Sequence, residues 1–241
     1  MLRIFKRKWL LLLLVVLAVV VINRVRARGP TIQPGSFLLV EHEGVYGEGP
    51  PQPLLERRFE EHKSFFELMG SLRKAAADQR IAGVVVRVGA IDAGWAQARD
   101  IREALKAIRN GGKRVVAFID NEGAAANLGY YIASVANSVF LPPGAATMLN
   151  GLSAHFLFLG GLWEKMDVAM EVQQVREYKT FGDTISRREM SPAHREMANW
   201  LLDDLNDEFV AAIADGRRIA VPEVLSTIDT CPAAATEYVE A

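Results

Sequence analysis

The chain has 241 residues, half of them hydrophobic and 24% charged, with a formal net charge of -1. That length supports one large domain or two small ones, and the balanced charge argues against a nucleic-acid partner. The single cysteine, Cys231, excludes an intrachain disulfide framework and a thiolate zinc cluster.

At the amino terminus, Arg3, Lys6, Arg7 and Lys8 precede an unbroken apolar run from Trp9 to Ile22, and Arg24, Arg26 and Arg28 follow it. The run is shorter than the roughly 20 residues that span a bilayer. Its basic flank offers no small-x-small cleavage site, and the flanking Lys and Arg can snorkel. Residues 1–28 are therefore expected to form an uncleaved signal anchor. The basic count of four before and three after favours a cytoplasmic amino terminus by a narrow margin.

Residues 29–62 are expected to hold a linker, a first strand at Ser36–Val40, and a long mobile loop over Glu41–Arg58 rich in glycine and proline. The glycines of that loop form no dinucleotide fingerprint, because no strand-to-helix turn surrounds them. From residue 63 the pattern becomes that of an α/β domain running to 241. Ser64 with Glu67 predicts a capping box, and Phe65, Leu68, Met69, Leu72 and Ala76 share one helical face. Ile81–Val88 reads as a strand, Gly89–Gly94 as a loop, and Trp95, Ala98, Ile101, Leu105 and Ile108 as the stripe of a helix stopped by Gly111-Gly112. Val115–Ile119 is a further apolar strand. It feeds a turn at Asp120–Gly123, a run of small residues, and a helix start at Leu128. Ser138–Leu141 closes the series as a short strand. Strand and helix alternating in this way imply βαβ crossovers and a mostly parallel sheet.

The next expected elements are strands at Met148–Leu152 and Ala169–Val175, with a helix around Phe158–Met166 between them. Ser191-Pro192 starts a long helix with Met197, Leu201, Leu205, Phe209 and Ile213 on one face, ending at Gly216. A last short helix begins at Pro222. The four histidines, His42, His62, His155 and His194, are scattered and suggest no metal site; His194, in a first helical turn, reads as a solvated surface residue.

The segment Ala124-Ala125-Ala126-Asn127-Leu128-Gly129-Tyr130-Tyr131-Ile132 resembles the nucleophile segment of the signal peptide peptidase A (protease IV) family, which reads roughly M-A-A-S-G-G-Y-Y-I/W. Asn127 stands where that family has its serine. Glu177-Tyr178-Lys179-Thr180 is similar to the Y-K-S/D segment that carries the family's general-base lysine, and Met190–Glu196 to its D-M-S-P-x-x-R-E turn. Asn127 and Lys179 lie 52 residues apart, close to the spacing in single-domain members. The resemblance covers about residues 35–241. It implies an α/β, Clp-protease/crotonase-like fold of βαβ units around a mostly parallel sheet, preceded by one transmembrane helix. It also implies a membrane-anchored Ser/Lys peptidase that digests signal peptides, without a cofactor, assembled as a homo-oligomer on the outer side of the cytoplasmic membrane.

On that resemblance Lys179 is the general base. Tyr178 and Phe181 are expected to help desolvate it, and Thr180 to hold its amine. Asn127 cannot act as a nucleophile and is expected to cap its helix or brace the turn. The family's glycine pair, whose amides help form an oxyanion hole, is reduced at Gly89–Gly94 to Gly94 beside bulky Trp95. Ser153 is a substitute nucleophile by position only, since Gly151–His155 is no nucleophile elbow. A base without a nucleophile matches the first of two tandem copies in the long form of the family, so the partners expected are hydrophobic signal peptides and a downstream serine-bearing domain. The rival reading is a catalytically inactive membrane-anchored scaffold that keeps the fold to assemble or to bind peptides. Acyl-CoA chemistry is disfavoured because it needs the missing oxyanion loop.

Overall fold

The computed structural model describes residues 14–21, 32–47, 63–120, 127–142 and 149–231. Residues 14–21 are helical (α1) and their side chains are exposed. The rest of the expected anchor lies outside the described residues, and no described helix is long and apolar enough to cross a membrane.

Among the described residues five strands make one sheet: β1 (Ser36–Gly47), β2 (Lys63–Ser64), β3 (Ile81–Asp92), β4 (Arg114–Ile119) and β5 (Ser138–Phe140). Their order is β2-β1-β3-β4-β5 and every pairing is parallel. Three helices alternate with them: α2 (Phe65–Ala77), α3 (Trp95–Asn110) and α4 (Asn127–Ala133). Strand alternation sends Val84, Val86, Val88, Val115, Ala117 and Ile119 to one face, all buried. Against them lie Leu72, Ile101, Leu105, Ile108 and Ile132 of the three helices. The opposite face carries exposed Phe37, Leu39 and Phe140, with Leu39 paired to Val85 and Phe118 to Phe140. α4 sits close over the sheet because Gly129 has no side chain: a Cβ there would stand 3.1 Å from Val88 Cγ1.

Two strands are longer than the sequence predicts. β1 continues through Glu41–Gly47, the first part of the stretch expected to be a loop, because these residues pair with β3 as far as Asp92 and then with β2. β3 for the same reason absorbs Gly89–Asp92. In α2 the residue buried beside Leu72 is Ala75, with Ala76 exposed, and Ser64 occupies the N-cap without a side-chain capping bond.

Beyond β5, α5 (Gly160–Lys165), α6 (Phe181–Ser186), α7 (Pro192–Arg217) and α8 (Val221–Thr230) follow. Neither of the two strands expected here forms: residues 149–159 and 168–174 are irregular and mostly exposed. The alternation at Ala169–Val175 has no neighbouring strand among the described residues, and alternation alone does not stabilise a strand. α7 returns to the body with its carboxyl half. Phe209, Val210, Ile213 and Ala214 are buried there, whereas Leu201 in the amino half is exposed. Phe209 meets Trp95 and Tyr131 edge-on and stacked, at centroid distances of 5.9 and 6.5 Å.

Candidate active site

The segment carrying Lys179 is held by a short helix and the start of a long one. Thr180 is the N-cap residue of α6 and is buried, while Lys179 just before it is exposed. Ser191 caps α7 with its hydroxyl accepting the His194 amide at 3.1 Å, and Pro192 follows at the first turn, as the sequence predicts. α6 and α7 then line an open, solvent-facing cavity of about 530 Å³ with residues of the preceding segment. Tyr178, Lys179, Thr180 and Phe181 line one side of it, and Phe156, Thr184, His194 and Met197 the rest. Its walls are mostly apolar, and Lys179 supplies the one cationic side chain among these residues.

The immediate neighbours of Lys179 are tied to α7. Tyr178 donates its phenol to Glu196 Oε2 at 3.1 Å, and that carboxylate, by accepting the bond, holds the phenol above its ordinary value of 10. Thr180 points its hydroxyl at Met197 Sδ, 3.8 Å away, so it does not hold the lysine amine as expected. Phe181 is 79% exposed and Tyr178 half exposed. They flank Lys179 at the cavity mouth and leave its side chain in water.

His194 departs furthest from expectation, being 2% exposed instead of solvated. It lies at the third position of α7, where the chain bends in behind the Pro192 turn. Its ring meets Phe156 edge-on at 4.7 Å and Phe158 at 5.7 Å. Its Nδ1 faces Oδ2 of buried Asp183 at 3.8 Å, and neither atom has a hydrogen-bond partner. Nothing in the sequence spacing marks this pair, since Asp183 and His194 belong to different helices.

Asn127 opens α4 and is not among the residues lining the Lys179 cavity. Its amide donates from Nδ2 to Asn150 Oδ1 at 3.1 Å, and its Oδ1 accepts the Asn150 backbone N–H at 3.1 Å. This reciprocal pair fastens the segment after residue 149 to the helix. The turn 121–126 before it lies outside the described residues. At the neighbouring strand ends, Arg87 binds Asp120 and reaches Glu41 at 3.5 Å, and Gly94 has become the N-cap of α3. Ser153 is exposed on the irregular segment and lies outside the cavity lining. Among the described residues no three His, Cys, Asp or Glu side chains gather in a way that would hold a metal ion. His155 is exposed, and His42 is buried against Tyr46 in β1.

Residues 107–230 match the family model of Peptidase family S49. The chain is 34% identical over 184 residues to "Serine protease SPPA, chloroplastic" of Arabidopsis thaliana, a match covering 76% of this chain and 26% of that protein. It is 29% identical over 161 residues to "Protease 4" of Salmonella typhi, covering 66% and 26%. With "Protease 4" of Haemophilus influenzae (strain ATCC 51907 / DSM 11121 / KW20 / Rd) it shares 27% over 164 residues, covering 67% and 26%. The chain thus spans about a quarter of the length of each of these relatives.

Proposed function

The chain belongs to peptidase family S49, and from that premise we propose that it supplies the general-base lysine, Lys179, to a serine peptidase whose nucleophile lies outside these 241 residues. The observation that carries this reading is a contrast between two positions. The residue standing in the serine position, Asn127, has its carboxamide committed to Asn150, while Lys179 stands free at an apolar cavity.

In the proposed chemistry the neutral Lys179 amine accepts the serine hydroxyl proton as the oxygen attacks the scissile carbonyl. The resulting ammonium returns that proton to the leaving amine, and water then hydrolyses the acyl-enzyme. A general-base amine must be neutral, and withdrawing a lysine from water favours that form. The exposure of Lys179 here therefore assigns the desolvation to whatever docks over it: the serine-bearing unit, the substrate, or both. The substrate class that fits is an extended apolar peptide such as a cleaved signal peptide. It would lie along the cavity walls and extend a sheet edge by main-chain bonds. A membrane anchor in residues 1–28, a homo-oligomer and a site on the outer face of the cytoplasmic membrane belong to the same proposal.

The test is peptidase activity on a signal-peptide-like substrate, for this chain alone and for the chain joined to a serine-bearing S49 unit. Activity is expected in the joined form alone, falling about 10²–10⁴-fold in Lys179→Ala, the usual worth of a general base. Activity from the chain alone would move the nucleophile into it, with Ser153 next to be replaced. Absence of activity in both arms would favour the scaffold, a reading that the Asn127–Asn150 pair and the glycine-poor β3 end also suit.

A further inference from the structure

We propose that His194 and Asp183 form a proton-dependent clamp that positions Lys179. Both are more than nine-tenths buried, and their facing atoms, Nδ1 and Oδ2, are left unbonded 3.8 Å apart. A buried polar atom without a partner costs free energy, so two of them aimed at each other need a reason. Neutral imidazole with its proton on Nε2 presents a lone pair at Nδ1, and a carboxylate oxygen presents another. The proposed clamp takes the Nε2–H tautomer as its open state, in which two acceptors face each other and cannot bond, in keeping with the 3.8 Å separation. A proton taken from water onto Nδ1 turns the contact into a charge-assisted donor–acceptor pair, and the two helices are drawn together.

The seam that would tighten is the one that brackets Lys179. Thr180, on one side of it, is buried against Met197 one turn beyond His194, and its carbonyl accepts the Asp183 amide at 3.0 Å. Tyr178, on the other side, is bonded to Glu196. Three contacts between the α6 segment and the first turns of α7 therefore frame Lys179, and only the Asp183–His194 contact is incomplete. The groups facing His194 are Asp183 from α6, Lys179 and Tyr178 across the cavity, and the rings of Phe156 and Phe158 from the irregular segment. Closing the clamp fixes the backbone from Tyr178 to Asp183 and with it the reach of the amine. This deepens the proposed function, because a base must be held within hydrogen-bond reach of the hydroxyl it serves.

The test needs no nucleophile, so it stands apart from the peptidase assay. The full chain is reductively ¹³C-methylated, and the dimethyl-Lys179 signal, assigned by Lys179→Arg, is followed against pH beside the His194 ring proton. The expected result is an inflection of the Lys179 signal coincident with the His194 titration, in addition to its own. That inflection disappears in Asp183→Asn, while the imidazole still titrates. Persistence in Asp183→Asn would reduce the effect to direct charge repulsion across the cavity and overturn the clamp. A Lys179 signal indifferent to the His194 titration in the unsubstituted chain would overturn it as well, even if Asp183→Asn fails to fold.

Discussion

Asp78, just past the end of α2, binds the Arg80 guanidinium through both carboxylate oxygens, at 2.6 Å from Oδ2 to Nη2 and 3.0 Å from Oδ1 to Nε. That bond, reinforced by the Arg80 amide, holds its carboxyl at about 2 instead of the ordinary 3.8. A carboxyl whose folded value is depressed adds stability above its unfolded value, and loses it as pH falls through the folded one. Asp78→Asn is accordingly expected to lower stability at neutral pH slightly, because the pair is exposed, and by that same small amount to flatten the acid limb of the melting-temperature curve between about pH 4 and pH 2. A curve that drops equally in both proteins over that range would refute it. At this scale the sequence was informative where a motif names a residue. Lys179 and Asn127 could be singled out because their neighbours on the chain are distinctive. His194 could not be read, because its burial depends on Phe156 and Asp183, which no local pattern links to it. The partner of Asn127 is likewise set by a loop 23 residues away.

Helices and strands were legible wherever the burying surface belongs to the element itself. α3 shows its stripe, and α7 announces its start with Ser191-Pro192 and ends one residue past Gly216. Strand lengths were not legible. Glu41–Gly47 and Gly89–Asp92 carry glycines and charges that read as loop, yet Gly44 and Val45 pair with Ile91 and Asp92, and Tyr46 and Gly47 with β2. The reverse holds at Ala169–Val175, where the pattern is present and no partner strand lies among the described residues. Contacts between elements also rest on small residues. A Cβ on Gly216 of α7 would stand 2.5 Å from the Ser134 carbonyl oxygen and 2.8 Å from its carbon. Gly216→Ala would gain about 1 kcal/mol in helix propensity and lose about 1–3 kcal/mol to overpacking against fixed backbone. Net destabilisation is the expected outcome in urea unfolding. A variant as stable as the parent would mean that α7 shifts without cost.

Across the whole molecule, α7 is the longest element that ties the carboxyl-terminal half of the chain to the sheet body. Arg102 of α3, itself buried, donates to the Ala212 carbonyl at 2.5 Å, and Arg217 donates to the Ala136 carbonyl at 2.9 Å. Tyr131 lies between the two halves. Burial, with the hydrogen bond to Glu208 adding to it, pushes its phenol up to about 12. Phe209 is fully buried on Trp95 and Tyr131, so Phe209→Ala is expected to cost about 3–5 kcal/mol, read as a lower urea midpoint. A cost under about 1 kcal/mol would mean that α7 is not part of the cooperative unit. The architecture as a whole could be read from alternation of elements. The strand order, with β1 inside and β2 at the edge, could not, because parallel neighbours are joined through crossovers whose course local sequence does not encode.

The aromatic trio has a consequence in time. All five strands, with Trp95 and Tyr131, are synthesised before Phe209, which follows Phe140 by 69 residues. At about 5–20 residues per second, the ribosome takes roughly 3–14 s to deliver it. For those seconds Trp95 and Tyr131 have been made without the ring that covers them, and any early packing of the sheet with α2, α3 and α4 would expose an aromatic patch that a chaperone could grip. Release of the patch would mark the arrival of α7, making this helix the timekeeper of the chain's birth as well as a clasp in its finished form.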